Sequence, residues 1–348
     1  MAESFDRFSV LFTLESVYVS GKDFPLGQLT TDILNLDDAV LTEIDRRTSA
    51  FMSAAAAIFT EKTDSAARSA QEKLNAVWDL VFELPLYRDL EMDLDTARNL
   101  FPLLFSDQDK RDEALDVDSE GHAMLENFLN GLEYFPESLR NLRGQITGML
   151  ALYFEPLKRR GAEAYAEAYA QYFTDVDAAG RVIFDMPPFE QSFPVEIKFV
   201  PTAHATENGR VVLAEKTVFS YFSHFLYTDF YRGLMAGNAP RRCHNCGRYF
   251  LLTAGYNTCY CGNIAPGEAE RTCRKVGAHR KESRDRSSAT PEQKEYNRAY
   301  NRLKMRKNRK KISVEEWNAA VAEAQKLKAS AERGELTDEE LRMKLETL

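Results

Sequence analysis

The chain has 348 residues, of which 44 % are hydrophobic and 11 % aromatic, and its formal net charge is −9. This composition excludes an intrinsically disordered protein, because the apolar residues suffice for a buried core. No apolar run approaches the roughly 18 residues of a membrane-spanning helix, and the first residues lack the regions of a signal peptide. The sequence therefore predicts a cytoplasmic protein with no membrane partner.

The charge is distributed unevenly along the chain. Residues 1–240 contain 21 Lys and Arg against 39 Asp and Glu, a net charge of −18, whereas residues 241–311 contain 19 against 6, a net charge of +13. The last 37 residues carry −4. A basic block that follows an acidic body predicts an anionic partner, a contact between the two parts of the chain, or both.

The N-terminal part predicts a hairpin followed by helices. Phe8–Phe12 and Val17–Val19 alternate in polarity and precede a Gly-Lys-Asp turn, which is typical of a β-hairpin. From Asp38 to about Phe82 the spacing is helical, with a break near Thr63, so two helices are expected. Further helices are expected over four ranges: 95–105, 121–134, 137–157 and 162–174.

A second hairpin and an aromatic helix are predicted next. Pro194–Pro201 is a candidate strand that would pair with Arg210–Leu213 across an Asn-Gly turn at 208–209. Thr217–Leu234 has seven aromatic residues between Phe219 and Tyr231. A helix that is apolar on all sides is usually buried, so we interpret this one as the central core helix and not as an aromatic ligand cage.

The C-terminal part predicts three helices, near 291–311, 314–332 and 338–346. Thr290, Ser313 and Thr337 directly precede these helices and are predicted to cap their N-termini, with the reciprocal Gln or Glu of a capping box three residues later. The polar stretch Ser283–Ala289 predicts a linker before the first of them. The predicted fold class is mainly α, that is α+β with minor β hairpins. The predicted domains are an acidic, mostly helical domain (1–240), a zinc finger (241–282) and a helical tail (283–348).

All five cysteines lie between residues 243 and 273. A disulfide scaffold would spread its cysteines through the core, so this crowding indicates metal binding. Cys243 and Cys246 form a Cys-x-x-Cys knuckle, in which two thiolates reach one ion and Gly247 allows the tight turn. Four cysteines close a tetrahedral site, so we expect a structural zinc ion held by Cys243, Cys246, Cys261 and Cys273.

Other ligand sets remain open at this point. Cys259 could replace Cys261, since both lie in the same loop, and His279 could replace Cys273. A site without metal is the third alternative. His244, inside the knuckle turn, is expected to face solvent.

Three segments resemble a known family: Arg242–Phe250, Tyr260–Cys261 and Thr272–Gly277. They are similar to the C-terminal finger of an uncharacterised bacterial family, mostly from Gram-positive anaerobes, in which a variable helical region precedes a Cys-rich segment and a basic helical tail. The resemblance covers roughly residues 215–348. Cys273–Arg280 also looks like the end of CGNR zinc fingers, which implies DNA binding, although the CGNR tetrad itself is absent.

The basic tail is the candidate nucleic-acid interface. Residues 271–311 contain 16 Lys and Arg, and the helix from 291 combines an apolar face (Tyr296, Ala299, Tyr300 and Leu303) with a basic stripe. The helix is expected to pack on the finger. The predicted phosphate contacts are Arg274, Lys275, Arg280, Arg298, Arg302, Arg306 and Arg309.

The leading hypothesis is a zinc-dependent nucleic-acid-binding protein, with DNA favoured over RNA, in transcriptional or mobile-element regulation. The alternatives for the tail are docking to protein, including this chain's own acidic domain, and a solvated helix with no partner. A protein-interaction module with a purely structural zinc site is the second hypothesis. An enzyme is the third, because residues 1–240 contain no recognisable catalytic motif and no catalytic residue is assigned.

Overall fold

The computed structural model describes residues 8–85, 87, 94–174, 195–203, 211–288 and 290–348. It divides into two compact units, Met1–Cys261 and Gly262–Leu348. Both are built mainly from helices, and the first also contains two small antiparallel sheets, so the predicted fold class is confirmed. The predicted Asn-Gly turn at 208–209 lies outside the described residues.

The strands are β1 (Phe8–Phe12), β2 (Ser16–Val19), β3 (Lys22–Pro25), β4 (Glu196–Thr202), β5 (Val212–Phe219), β6 (Ala239–Arg242) and β7 (Tyr249–Leu252). The helices of the first unit are α1 (Gln28–Leu34), α2 (Asp38–Glu61), α3 (Asp64–Val81), α4 (Leu94–Phe105), α5 (Gln108–Leu115), α6 (Glu120–Met149), α7 (Ala162–Thr174) and α8 (Phe222–Met235). Those of the second unit are α9 (Cys273–Ser288), α10 (Pro291–Asn308), α11 (Val314–Glu332) and α12 (Asp338–Glu346).

The larger sheet has five antiparallel strands in the order β3-β2-β1-β5-β4. The predicted first hairpin is confirmed, and β5 pairs with β1 from more than 200 residues away, with Phe8 opposite Phe219. Sequence analysis missed β3, which contains Pro25. Proline is tolerated there because β3 is an edge strand and needs no complete ladder of hydrogen bonds.

The predicted helical pair is α2 and α3, which pack on each other. Asp37 accepts a hydrogen bond from Ala39 N–H at the start of α2, and Thr63 accepts one from Ala66 N–H at the start of α3. Between them Lys62 adopts a left-handed conformation and ends α2. These local signals explain why the break near Thr63 was predictable.

Two expected helices are in fact one. The prediction of separate helices at 121–134 and 137–157 is wrong: α6 continues through Pro136 to Met149, and a π-helical turn follows at Leu150–Phe154. Phe135, Pro136 and Leu139 are all buried. Their burial offsets the backbone hydrogen bond that a proline inside a helix removes.

Two further boundaries differ from expectation. The aromatic helix α8 begins at Phe222 and not at Thr217, because Thr217–Phe219 extend β5 and pair with β1. Its buried residues include Phe225 and Phe230, so it is a core helix as predicted. The expected linker after residue 283 is helical, since α9 runs from Cys273 to Ser288, and its lysines, arginines and glutamates are good helix formers.

Helix α1, which the sequence did not predict, starts over a buried carboxylate. Asp229 of α8 accepts hydrogen bonds from the backbone N–H groups of Gly27 (2.8 Å) and Thr30 (2.9 Å), and from the Thr30 hydroxyl (2.8 Å). Gly27 and Gly233 also touch here, and a Cβ on Gly233 would lie 3.0 Å from Gly27 Cα. This contact brings α1 and α8 together close to the smaller sheet.

The second unit contains the three predicted helices of the tail, α10, α11 and α12, which pack together as a bundle. Its core consists of Ala299, Ala324, Ala331, Leu341 and Leu345, and the predicted capping boxes at Ser313 and Thr337 are both present. The apolar face of α10 packs on α11 and α12, which are the neighbours that the sequence analysis did not consider when it placed this face on the finger. Among the described residues, no helix is both long and apolar enough to cross a membrane.

Candidate metal centre and its basic surroundings

The knuckle lies at the tip of the β6–β7 hairpin. Arg242 pairs with Tyr249 as the last register pair, and the intervening turn is closed by hydrogen bonds from Cys243 N–H to Arg248 O (2.8 Å) and from Gly247 N–H to Cys243 O (2.9 Å). Gly247 has φ +77°, a left-handed conformation that favours glycine. The sequence Cys-x-x-Cys-Gly thus forms the turn that sequence analysis expected.

Two side chains of the first unit hold this hairpin in place. Asn35, at the end of α1, accepts from Tyr249 N–H (2.7 Å) and donates to Tyr249 O (2.8 Å). Asn238 donates to Leu26 O (3.1 Å) and accepts from Ala254 N–H (3.0 Å). Sequence reasoning missed Asn35 because its partner lies 214 residues away and no local motif marks it.

The structure brings the four predicted cysteines together. The sulfur atoms of Cys243, Cys246, Cys261 and Cys273 all lie within 4.8 Å of one another, and those of Cys246 and Cys261 are 3.7 Å apart. With metal–sulfur bonds of about 2.3 Å, the corners of a tetrahedron are about 3.8 Å apart. The residues therefore fit a four-coordinate metal ion.

The surroundings favour the thiolate form. Burial alone raises the pKa of the Cys243 thiol, but the backbone N–H groups of Cys261, Cys246 and Asn245 outweigh it and lower the pKa to about 7. The Cys261 N–H lies 3.4 Å from the Cys243 sulfur. Hydrogen bonds to sulfur stabilise the charged form that metal binding requires.

Burial and local structure fix the other ligand positions. Cys243, Cys261 and Cys273 are buried, whereas Cys246 is partly exposed. Cys273 is the first residue of α9, and its N–H donates to Asn263 O (2.8 Å). A four-thiolate site of this kind is closed and leaves no coordination position for water or substrate, so the metal it could hold would act on structure and not on catalysis.

The alternative ligands lie elsewhere. In the described part of the chain, neither Cys259 nor His279 joins the group of residues that could hold a metal ion. Cys259 instead contributes its carbonyl oxygen, which accepts from His244 N–H (2.9 Å). His279 is exposed on α9, and His244 is exposed as predicted.

Five of the seven predicted phosphate contacts are exposed: Arg274, Lys275, Arg280, Arg298 and Arg309. The first three lie on α9, directly after Cys273, and the last two lie on or just after α10. Arg298 forms an ion pair with Glu295 (2.6 Å) but stays 75 % exposed. Such a surface pair is weak, so Arg298 remains available to an anion.

The other two predicted phosphate contacts, Arg302 and Arg306, point towards α12 and not into solvent. Arg302 donates to Leu345 O, and Arg306 donates to Leu348 O (2.6 Å), so both guanidinium groups bind carbonyl oxygens at the end of α12. The predicted continuous stripe is therefore interrupted. The physical reason is that the carboxyl end of a helix attracts cations, and the fold of the bundle brings that end to α10.

One family model matches the C-terminal part of the chain. Residues 190–348 match the model of a family of unknown function, DUF6076. The matched range includes the hairpin, the four clustered cysteines and α9–α12, so the predicted resemblance to an uncharacterised family is confirmed. No curated protein and no solved structure matches the chain.

Proposed function

We propose that the protein binds nucleic acid through a basic surface that follows a structural zinc site. In this proposal Cys243, Cys246, Cys261 and Cys273 hold one zinc ion. Phosphates contact the exposed cations Arg274, Lys275, Arg280, Arg298 and Arg309. Arg302 and Arg306 stabilise α12 instead.

The observation that supports the zinc ion is the sulfur geometry. The group consists of four cysteine sulfurs within 4.8 Å of one another and contains no carboxylate or histidine. Such a set of thiolate ligands selects zinc and not magnesium or calcium. The knuckle N–H groups that lower the pKa of Cys243 are typical of structural thiolate sites.

The observation that supports nucleic acid is the position of the exposed cations. Arg274 and Lys275 are exposed and immediately follow the buried Cys273, so a metal ion would hold their backbone in place. Residues 241–311 carry a net charge of +13, which would attract phosphates at long range. Phosphate contacts of this kind supply affinity but no sequence readout.

The test is the salt dependence of binding by the full chain to duplex and single-stranded DNA and RNA. We expect log affinity to fall linearly with log salt, by a slope of roughly 0.9 per neutralised phosphate. The triple change Arg274→Gln, Lys275→Gln and Arg280→Gln should reduce the magnitude of the slope by about two to three. It should lower the affinity for all nucleic-acid sequences by about the same factor.

A matched control removes three exposed cations elsewhere: Arg46→Gln, Lys73→Gln and Arg98→Gln. It changes the net charge equally, so its slope should stay near that of the unmodified chain. If the zinc-loaded protein binds no nucleic acid even at about 50 mM salt, where such contacts are strong, this proposal is wrong.

A protein-interaction module is the second candidate, and the inward positions of Arg302 and Arg306 favour it. They reduce the basic surface on α10, whereas residues 1–240 keep a net charge of −18 that would suit a basic protein partner. In that case binding to nucleic acid would be absent and the zinc ion would be purely structural.

A further inference from the structure

Three arginines meet at a small cleft in the first unit. Arg160 follows the π-helical turn at Leu150–Phe154, and Arg241 and Arg242 end strand β6. We call this the arginine cleft; its other lining residues include Phe154, Glu155 and Tyr249. No predicted phosphate contact lies in it.

The lining of the arginine cleft is positively charged. Glu155 is the one acidic residue among its lining residues, so three guanidinium groups and one carboxylate give a local charge of about +2. Burial first, and the charge of Arg241 second, lower the pKa of Arg160. Like charges that are held together are unfavourable, and ionisable groups perturbed in this way cluster at functional sites.

Each guanidinium is positioned by neutral oxygen atoms, most of them backbone carbonyls. Arg160 donates through Nη2 to Glu155 O (3.0 Å), and Arg241 donates through Nη1 to Thr258 O (2.9 Å) and Asn257 Oδ1 (3.0 Å). Arg242 donates through Nε to Gly247 O (3.2 Å). Since these acceptors are neutral, they orient the three groups and leave their charge unpaired.

The guanidinium of Arg160 also interacts with the Tyr165 hydroxyl, but one of its atoms is left unsatisfied. Its Nε atom is buried and has no hydrogen-bond partner. The chain at this point departs from an α-helix, because Glu155 N–H donates to Leu150 O in the π-helical turn. Single π-helical turns are rare and are frequently found at functional sites. The aromatic ring of Phe154 stacks on buried Tyr165 at 5.4 Å and keeps this turn rigid.

The size of the cleft limits its ligand. Its enclosed space is only about 10 Å³, which is roughly the volume of one water molecule, so neither a nucleotide nor any other whole small molecule would be enclosed. A ligand could therefore lie only at the open mouth of the cleft, with a small anionic group against the guanidinium groups. Arginine forks match the geometry of phosphate oxygens.

We propose that Arg160, Arg241 and Arg242 form a binding site for a terminal phosphate group, that is, a phosphate monoester dianion. Its charge of about −2 at neutral pH attracts the three guanidinium groups more strongly than a phosphodiester, which carries only one negative charge. The group could belong to a small phosphorylated molecule or to the end of a nucleic acid. The site does not rest on the proposed nucleic-acid surface, because it lies on different residues.

The test is calorimetric titration of the zinc-loaded full chain with inorganic phosphate at about pH 8, with sodium chloride of equal ionic strength as the control salt. Two charge-assisted hydrogen bonds predict a dissociation constant of about 1 mM or below. Arg160→Gln and Arg242→Gln should each weaken binding about 10-fold to 100-fold. Arg160→Lys keeps the positive charge but lacks the forked donor geometry of the guanidinium. Its affinity for phosphate should therefore lie between those of the glutamine variants and that of the unmodified chain.

The matched control is Arg98→Gln, which removes an exposed arginine that pairs with Asp79 outside the cleft. It should change phosphate affinity by less than about twofold. Thermal melting and zinc content are measured for each variant. If Arg160→Gln does not fold, Arg242→Gln replaces it as the test variant, because Arg242 is exposed and its substitution should not disturb the core.

The source of the phosphate is identified with two DNA oligonucleotides of one sequence, one with a 5′-phosphate and one with a 5′-hydroxyl. A preference for the 5′-phosphate that disappears in Arg160→Gln identifies a nucleic-acid end. If inorganic phosphate binds but the two oligonucleotides bind with equal affinity, the source of the phosphate group is a small phosphorylated molecule. The proposal is overturned if the unmodified chain shows neither saturable phosphate binding nor a 5′-phosphate preference, or if folded Arg160→Gln and Arg242→Gln both bind as the unmodified chain does.

Discussion

Asp229 is a fully buried carboxylate in α8 whose pKa is shifted. Its two oxygens accept three hydrogen bonds from Gly27 and Thr30, so the side chain joins α8 to the start of α1. Burial nevertheless raises its pKa from the ordinary 3.8 to about 6, although these hydrogen bonds act in the opposite direction. The side chain that fixes α1 is therefore sensitive to pH.

The pH dependence of stability follows from this shift. Because the folded pKa lies above the unfolded one, the folded protein binds the proton more tightly, and this contribution to stability is complete below about pH 4 and is lost as the pH rises through about 6. We expect a loss of about 2–3 kcal/mol from this group over that range. Urea unfolding of the unmodified chain and of Asp229→Asn, measured at several pH values, checks it. The asparagine variant should lack this step, and equal pH profiles for the two proteins would contradict the assignment.

Helix α10 is an element with two different sides. On its apolar side Ala299 belongs to the bundle core and Leu303 is buried. Its arginines divide between solvent and the end of α12. Arg302 and Arg306 reach the carbonyl groups of residues more than 40 positions away. These contacts satisfy carbonyl oxygens that have no partner inside the helix.

The element-scale prediction concerns the stability of α12. Arg302→Gln should weaken the protection of amides in residues 338–348 against hydrogen exchange by about 5-fold to 30-fold, which corresponds to about 1–2 kcal/mol. Arg298→Gln, which removes an exposed cation from the same helix, should change this protection by less than about twofold. Exchange measured by mass spectrometry on the full chain tests both. Equal protection in the two variants would mean that Arg302 does not stabilise α12.

At the scale of the whole molecule, local signals predicted much and distant contacts little. The break between α2 and α3 and the starts of α10, α11 and α12 were predictable, because a cap or a capping box lies within a few residues. The course of α6 through Pro136 was not, since burial against other elements overrides a local helix-breaking residue.

The candidate sites show the same division. The four cysteines follow a spacing that metal chemistry requires, so their grouping was predictable. The inward direction of Arg302 and Arg306 depends on where α12 ends, and the arginine cleft joins Arg160 to Arg241 across 80 residues. No periodicity or motif encodes such contacts, because they arise from tertiary structure alone.

The central claim is that four cysteines hold one zinc ion, and its most direct test is native mass spectrometry combined with elemental metal analysis of the purified full chain. The account predicts about one zinc per chain. Cys246→Ser should lose the metal, because it removes one of the four grouped sulfurs, and Cys259→Ser, the matched control from the same segment, should keep it. An unmodified chain without stoichiometric zinc, or zinc that persists in Cys246→Ser and is lost in Cys259→Ser, would contradict the account.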